Sequence, residues 1–240
     1  MEKFVCKIDP KIIYDLNNQI SKNRIINWAP DYNDQAGISF DDLSYILDYW
    51  KNKFSWTNEE EKLNKFNQYV FQYDNVKTHF LHIKSNHKNS IPLLLIHGWP
   101  GSIFEFNDLI PLLTSPDKND LKDHLAFDLI IPSLPNVGFS FSPKQKPLDL
   151  NEISKHFIKL MKTLDYQKYF IQGGDLGSFI ASIMAVNVPK EVMGIHLNLL
   201  PLPRGLNNKP NNIEEENYYE KLRYFMKYET GYQQIQGTKP

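Results

Sequence analysis

The chain has 240 residues, of which 41% are hydrophobic, and its formal net charge is −1 at pH 7. This length allows one sizeable core and a smaller appendage. The charge is near neutral and the lysines are scattered, so the sequence has no basic stripe. We therefore do not expect a nucleic-acid partner.

Cysteine and histidine usage gives no sign of a metal site. The single cysteine, Cys6, permits no intrachain disulfide and no cysteine-based zinc site, and it is predicted to be a reduced structural thiol. The seven histidines show no metal-ligand spacing. Among them, His79 and His82 lie along a predicted strand, and we interpret them as structural or surface groups. No metal is expected.

No run of about 18 apolar residues occurs, and the N-terminus has no signal-peptide h-region. We therefore expect a cytoplasmic protein without a transmembrane anchor in this chain. Peripheral attachment to a membrane is the alternative.

Residues 1–75 are predicted to form a helical N-terminal segment. Thr57 to Glu60 predicts a capping box at the start of one helix. Apolar residues at helical spacing form two stripes, which we interpret as core. The stripes contain Ile13, Leu16 and Ile20, and then Leu43, Ile46, Leu47, Trp50 and Phe54.

Residues 76–203 are predicted to alternate strands with helices, which indicates a parallel sheet covered on both sides. The strand patterns are 91–96, 127–131, 169–172 and 193–200, and one helix is predicted over 153–164. Residues 204–217 are a linker by composition, and 218–227 are predicted to be helical. The segment 204–240 is therefore a separate, third part.

The most informative motif is Gly173-Gly174-Asp175-Leu176-Gly177, between a strand pattern and a helix pattern. Glycines two residues before and after Asp175 allow the sharp backbone of a nucleophile elbow. An esterase would carry serine at the centre. A carboxylate is already ionised at pH 7 and can attack saturated carbon directly.

A second motif, His97-Gly98-Trp99-Pro100-Gly101-Ser102, follows the strand pattern 91–96. A strand that runs into such a loop is how many α/β-hydrolases build an oxyanion hole from backbone N–H groups. We interpret His97 as a structural histidine hydrogen-bonded under the loop, and we predict a cis peptide between Trp99 and Pro100. A third strand leads into Ser133-Leu134-Pro135 and Gly138-Phe139-Ser140.

Together these motifs resemble the epoxide hydrolases of the microsomal and juvenile-hormone type. Further similarity lies outside the loops, in residues 47–50, 61–64, 79–82 and 194–198. The chain departs from the family where Leu176 replaces a tryptophan and where Asn136-Val137 replace glycine and tyrosine.

The resemblance implies an α/β-hydrolase fold with a mostly parallel sheet, in which 204–240 begins a cap domain. Asp175 would be the nucleophile, and the backbone N–H groups of Trp99 and Leu176 would form the oxyanion hole. His97, Gly98, Pro100, Gly173, Gly174 and Gly177 would support these motifs. Lipophilic epoxides would be opened to diols through an aspartyl ester, without a metal or organic cofactor.

The second half of such a site is not found. In the family, tyrosines, an acid and a histidine follow the nucleophile, whereas His196 is the single histidine after Asp175. We interpret His196 as structural, so this chain is predicted to lack the catalytic histidine and acid, the C-terminal strands and most of the cap. The strand 193–200 would then be an exposed sheet edge, open to self-association.

Two alternatives stay open. A haloalkane dehalogenase also uses an elbow aspartate but needs N–H donors for the departing halide, and Leu176 removes one of them. The other alternative is a catalytically inactive α/β-hydrolase remnant with a binding role.

Overall fold

The computed structural model describes residues 1–26, 37–116, 125–200 and 209–239. They fall into two compact units, Met1–Leu199 and Leu200–Pro240. The predicted three-part division, with boundaries after residues 75 and 203, stays a prediction. No helix within the described ranges is both long and apolar enough to cross a bilayer.

The first unit contains seven strands and six α-helices among the described residues. The strands are β1 (Glu2–Phe4), β2 (Gln68–Tyr73), β3 (Val76–Ile83), β4 (Ile91–Ile96), β5 (Phe127–Pro132), β6 (Tyr169–Gly173) and β7 (Val192–Leu197). The helices are α1 (Pro10–Lys22), α2 (Phe40–Asn52), α3 (Trp56–Leu63), α4 (Leu109–Thr114), α5 (Leu150–Thr163) and α6 (Leu176–Asn187). Short 3₁₀ turns span Ile103–Phe106 and Gly138–Ser140.

The strands form one mixed sheet in the order β1-β2-β3-β5-β4-β6-β7. Strands β5, β4, β6 and β7 are parallel, as the alternation of strands and helices predicted. Strands β1, β2 and β3 add to this core by antiparallel pairing. The predicted α/β fold is confirmed, and parallel pairing is confined to the half of the sheet that leads to Asp175.

The prediction that residues 1–75 are helical is wrong at both ends. Strands β1 and β2 belong to the sheet. Asp74 and Asn75 join β2 to β3 and both have positive φ, 49° and 61°. This is the backbone of a two-residue type I′ hairpin turn, which Asp and Asn tolerate better than most residues.

Two helix starts also differ from the predictions. Helix α3 begins at Trp56, because the Ser55 side chain accepts a hydrogen bond from the Asn58 N–H and caps it ahead of Thr57. In the second unit, α7 (Ile213–Tyr228) begins inside the predicted linker, where Asn212 accepts from the Glu215 N–H. Residues 204–208 of that linker lie outside the described ranges. Helix α8 (Gly231–Thr238) follows.

The core has two layers, one on each face of the sheet. Because successive strand residues point to opposite faces, Leu94 and Ile96 pack towards α5 and α6, whereas Leu93 and Leu95 pack towards α4. The α5 stripe, including Phe157, is fully buried in the first layer.

The apolar stripes of α1 and α2 are not core in the described structure, contrary to the prediction. Neither helix contains a buried residue. Ile46 and Trp50 are 48% and 38% exposed and line an open groove of about 730 Å³. Two short helices that pack on each other cannot enclose both of their stripes.

Candidate active site

Asp175 occupies the turn between β6 and α6, as the glycine pattern predicted. Its backbone has φ 48° and ψ −122°, in the positive-φ region that side-chain-bearing residues rarely adopt. Such a conformation costs about 1–3 kcal/mol and persists where the surrounding structure enforces it. The turn leaves the Asp175 carboxylate exposed at the carboxyl end of the parallel strands.

Two glycines let the backbone pack closely around the elbow. A Cβ on Gly177 would lie 2.2 Å from the Ile96 carbonyl oxygen, so only glycine lets α6 start this close to the end of β4. A Cβ on Gly98 would lie 2.4 Å from the Asp175 Cβ. The loop after β4 and the elbow therefore touch directly.

The contact between that loop and the elbow is a hydrogen bond to the carboxylate. The Trp99 N–H donates to Asp175 Oδ1 at 3.0 Å. The predicted cis peptide between Trp99 and Pro100 is present. Leu176 is the first residue of α6, where an N–H has no partner within the helix and the helix dipole favours negative charge. Of the two predicted oxyanion donors, Trp99 contacts the Asp175 carboxylate directly, and the role of the Leu176 N–H stays a prediction.

His97 lies under the loop and is fully buried. Its Nε2 accepts from the Leu134 N–H at 3.0 Å, so its Nδ1 carries the proton and donates to the Gly98 carbonyl at 2.7 Å. Burial lowers the pKa of the His97 imidazole and favours this neutral form. His97 thereby joins the loop after β4 to the loop after β5, the structural role that the sequence predicted.

The loop after β5 contains the third motif, and its hydrogen bonds could not be read from the sequence. The Ser140 hydroxyl donates to the Ser133 carbonyl at 2.8 Å and accepts from the His79 N–H at 3.0 Å. Asn136 has φ 64°, so it fills a left-handed position that glycine usually takes, and its side chain donates to the Lys146 carbonyl. This departure from the family pattern therefore leaves the loop conformation possible.

His196 is not brought to the elbow. It lies exposed on β7, paired in register with Gln172, and it lines an apolar groove of about 680 Å³ on the α4 face of the sheet. Asp175 is not among the residues that line this groove. The structural interpretation of His196 stays a prediction.

Two family models match the chain, and their descriptions agree with this geometry. Residues 1–106 match the epoxide hydrolase N terminus, and residues 91–226 match the α/β hydrolase fold. The chain belongs to the epoxide hydrolase family. The resemblance drawn from the elbow and the His97 loop is thus confirmed at the level of the family and the fold.

Individual epoxide hydrolases give the same result over a longer span. The chain is 34% identical to epoxide hydrolase 1 of Sus scrofa over 95% of its own length and 54% of that protein. The crystal structure of juvenile hormone epoxide hydrolase from the silkworm Bombyx mori superposes with a TM-score of 0.79 at 30% identity, covering 100% of this chain and 57% of that one. The Aspergillus niger epoxide hydrolase gives a TM-score of 0.81 at 27% identity, covering 100% and 63%. The chain therefore spans between half and two thirds of the length of these relatives.

Proposed function

We propose that the chain forms the nucleophile half of an epoxide hydrolase active site, with Asp175 as the nucleophile. One observation carries this proposal: the Asp175 carboxylate stands on a strained elbow and accepts the Trp99 N–H at 3.0 Å. A carboxylate held in this way needs no base before it attacks carbon.

The hydrogen bond assigns different tasks to the two oxygens of Asp175. Oδ1 is held by Trp99, so Oδ2 attacks the epoxide carbon, the carbon–oxygen bond of the epoxide breaks, and its oxygen takes a proton from an acid. The product is an ester in which Oδ1 is the carbonyl oxygen.

In the hydrolytic step, water adds to Cγ of Asp175 and the negative charge develops on Oδ1. The N–H groups of Trp99 and Leu176 are the donors we assign to that oxyanion. The bond from Cγ to Oδ2 then breaks, so the diol leaves with Oδ2. The described residues supply no assigned base for the water and no assigned acid for the epoxide oxygen.

The substrate class follows from the family and from the chemistry of the nucleophile. Lipophilic epoxides are proposed, and this is supported by Trp99, whose N–H meets the carboxylate and which is 49% exposed. A haloalkane has less support, because Leu176, next to the nucleophile, has no side-chain N–H to stabilise a departing halide.

The proposal is tested by incubating the purified chain with styrene oxide, a strained aryl epoxide, and recording intact-protein mass spectra. We expect one stable adduct that maps to Asp175 and is absent in Asp175→Asn, with diol formation near background. Loss of a catalytic histidine typically costs several orders of magnitude in hydrolases with a comparable triad.

Absence of an adduct on Asp175 in the folded protein would contradict the nucleophile assignment and favour the inactive remnant. Sustained diol formation would contradict the single-ester outcome. In that case, loss of diol formation in His196→Gln would identify His196 as the base, and unchanged diol formation would point to a base on a second polypeptide.

A further inference from the structure

Hydrogen bonds, joined by short stretches of backbone, connect the N-terminal segment to the candidate nucleophile. It begins at Cys6, whose backbone N–H donates to Asn64 Oδ1 at 2.9 Å and whose carbonyl accepts from Asn64 Nδ2 at 2.8 Å. The Gln68 side-chain amide donates to Asn64 Oδ1 at 3.0 Å and to the Leu63 carbonyl at 3.2 Å. Residue 6 is thereby joined to the start of β2.

From Gln68 the bonds continue across the sheet to the loop after β5. Gln68 Oε1 lies 2.9 Å from His79 Nε2, and His79 Nδ1 lies 3.0 Å from the Ser133 hydroxyl. The next residue, Leu134, donates its N–H to His97, which in turn holds the Gly98 carbonyl. We call the side chains of Asn64, Gln68, His79, Ser133 and His97 the polar relay.

The relay has one consistent set of donors and acceptors. The Gln68 amide nitrogen is already directed at Asn64 and Leu63, so its oxygen must accept from His79 Nε2–H. His79 Nδ1 is then an acceptor, and the Ser133 hydroxyl donates to it. Removal of the Gln68, His79 or Ser133 group leaves a buried partner unsatisfied, which costs more than the bond itself contributes.

The centre of the relay is closed to water by aromatic rings from two distant segments. His79 is 0% exposed. The ring centroid of Phe4 in β1 lies 4.7 Å from that of His79. The ring centroid of Phe139, in the loop after β5, lies 5.1 Å from that of His79, and both pairs are edge to face. The rings of Phe4 and Phe139 also approach each other at 5.5 Å. Water therefore cannot replace a missing relay bond without local opening.

We propose that Gln68 and His79 are positioning residues for the nucleophile. They fix the loop after β5, that loop holds His97, and His97 fixes the carbonyl next to the Trp99 N–H that meets Asp175. The N-terminal segment then acts on the chemistry from a distance, without contact with the substrate. The effect on reaction rate rests on the proposed function, whereas the effect on the Trp99 N–H does not.

The structural effect is measured by NMR on the full chain labelled with ¹⁵N-tryptophan. The chain has four tryptophans, so four backbone amide signals are expected, and the Trp99 signal is identified by its loss in Trp99→Phe. Asp175→Asn should move that signal. Gln68→Met, which keeps the side-chain length but removes both hydrogen-bonding groups, should move it as well.

A matched control removes a buried polar group outside the relay. Tyr166 bonds to Lys84, His82 and Asp128 through its hydroxyl, so Tyr166→Phe also breaks internal hydrogen bonds. We expect Tyr166→Phe to leave the Trp99 amide signal within its line width. If Gln68→Met does not fold, Ser133→Ala removes a single hydroxyl of the relay and should also move the signal.

An unmoved Trp99 signal in both folded relay variants, or an equal movement in Tyr166→Phe, would overturn the proposal. The kinetic consequence is measured separately, as the rate of ester formation on Asp175 with styrene oxide. We expect that rate to fall about 10-fold in Gln68→Met, since small misplacements of reacting groups have effects of this order, and to be unchanged in Tyr166→Phe. If the unsubstituted chain forms no ester, the proposed function fails while the NMR result still decides the relay.

Discussion

Replacing Gly98 with alanine should separate the Trp99 loop from the nucleophile. The new methyl carbon would lie 2.4 Å from the Asp175 Cβ and 2.8 Å from its Oδ1, whereas ordinary contact begins near 3.4 Å. The difference, 3.4 minus 2.4, requires a displacement of about 1 Å. Because the Asp175 Cβ moves only with its backbone, the elbow or the Trp99 loop must shift, and we expect a folded protein with a misplaced carboxylate. A misplacement of about 1 Å can cost roughly 100-fold in rate.

The assay is the time course of ester formation on Asp175 by mass spectrometry, together with thermal unfolding followed by circular dichroism. Gly231→Ala is the matched control, because a Cβ there meets no atom within 4 Å. It should react at the rate of the unsubstituted chain. If Gly98→Ala reacted within threefold of that rate while its melting temperature stayed the same, the close contact between the loop and the nucleophile would not control the chemistry.

Three further predictions concern stability and association. Gly177→Ala places a Cβ against the Ile96 carbonyl and should lower the free energy of unfolding, measured in urea, by about 3 kcal/mol. Gly237→Ala is the control, because a Cβ there has open space around it, and it should not lower that free energy. Equal stabilities of the two variants would contradict the close packing of α6. Burial lowers the pKa of His156 to about 4 from 6.5, so its contribution to stability is complete above pH 6.5 and is lost as the pH falls towards 4. His156→Leu should therefore reduce the loss of unfolding free energy between pH 6 and pH 5 by about 1.2 kcal/mol, and an unchanged pH dependence in urea titrations would refute this. Ile195 is 42% exposed on β7, so light scattering should show concentration-dependent association that Ile195→Lys reduces; a monomer at all concentrations would show that this edge is protected.

The parts of the site that the sequence predicted are those encoded by neighbouring residues. The elbow was predictable because its glycines, its aspartate and the flanking apolar patterns lie within one short stretch around residue 175. The loop at His97 was predictable for the same reason. Local backbone requirements restrict the residues at such turns, so a short pattern is informative.

The parts that the sequence did not predict depend on distant partners. Strand β2 was missed because its pairing with β3 rests on the positive-φ turn at Asp74, which local hydropathy does not report. The role of Gln68 was missed because its partners, Asn64 and His79, lie on separate elements. The stripe on α2 was interpreted as core because periodicity shows which face is apolar and not whether anything covers it.

The unequal edges of the sheet determine where further backbone can join it. At one end, β1 has only three residues, two of which are Glu2 and Lys3, and such short charged edges discourage pairing. At the other end, β7 has six residues and carries no partner on its outer side among the described residues. Neighbouring strands lie about 4.8 Å apart, so a parallel strand added beside β7 would end about 10 Å from the end of β6, where Asp175 stands. A side chain on the loop after that first added strand could reach the carboxylate directly. A group from the following strand would have to cross about 15 Å and would need a long loop to do so.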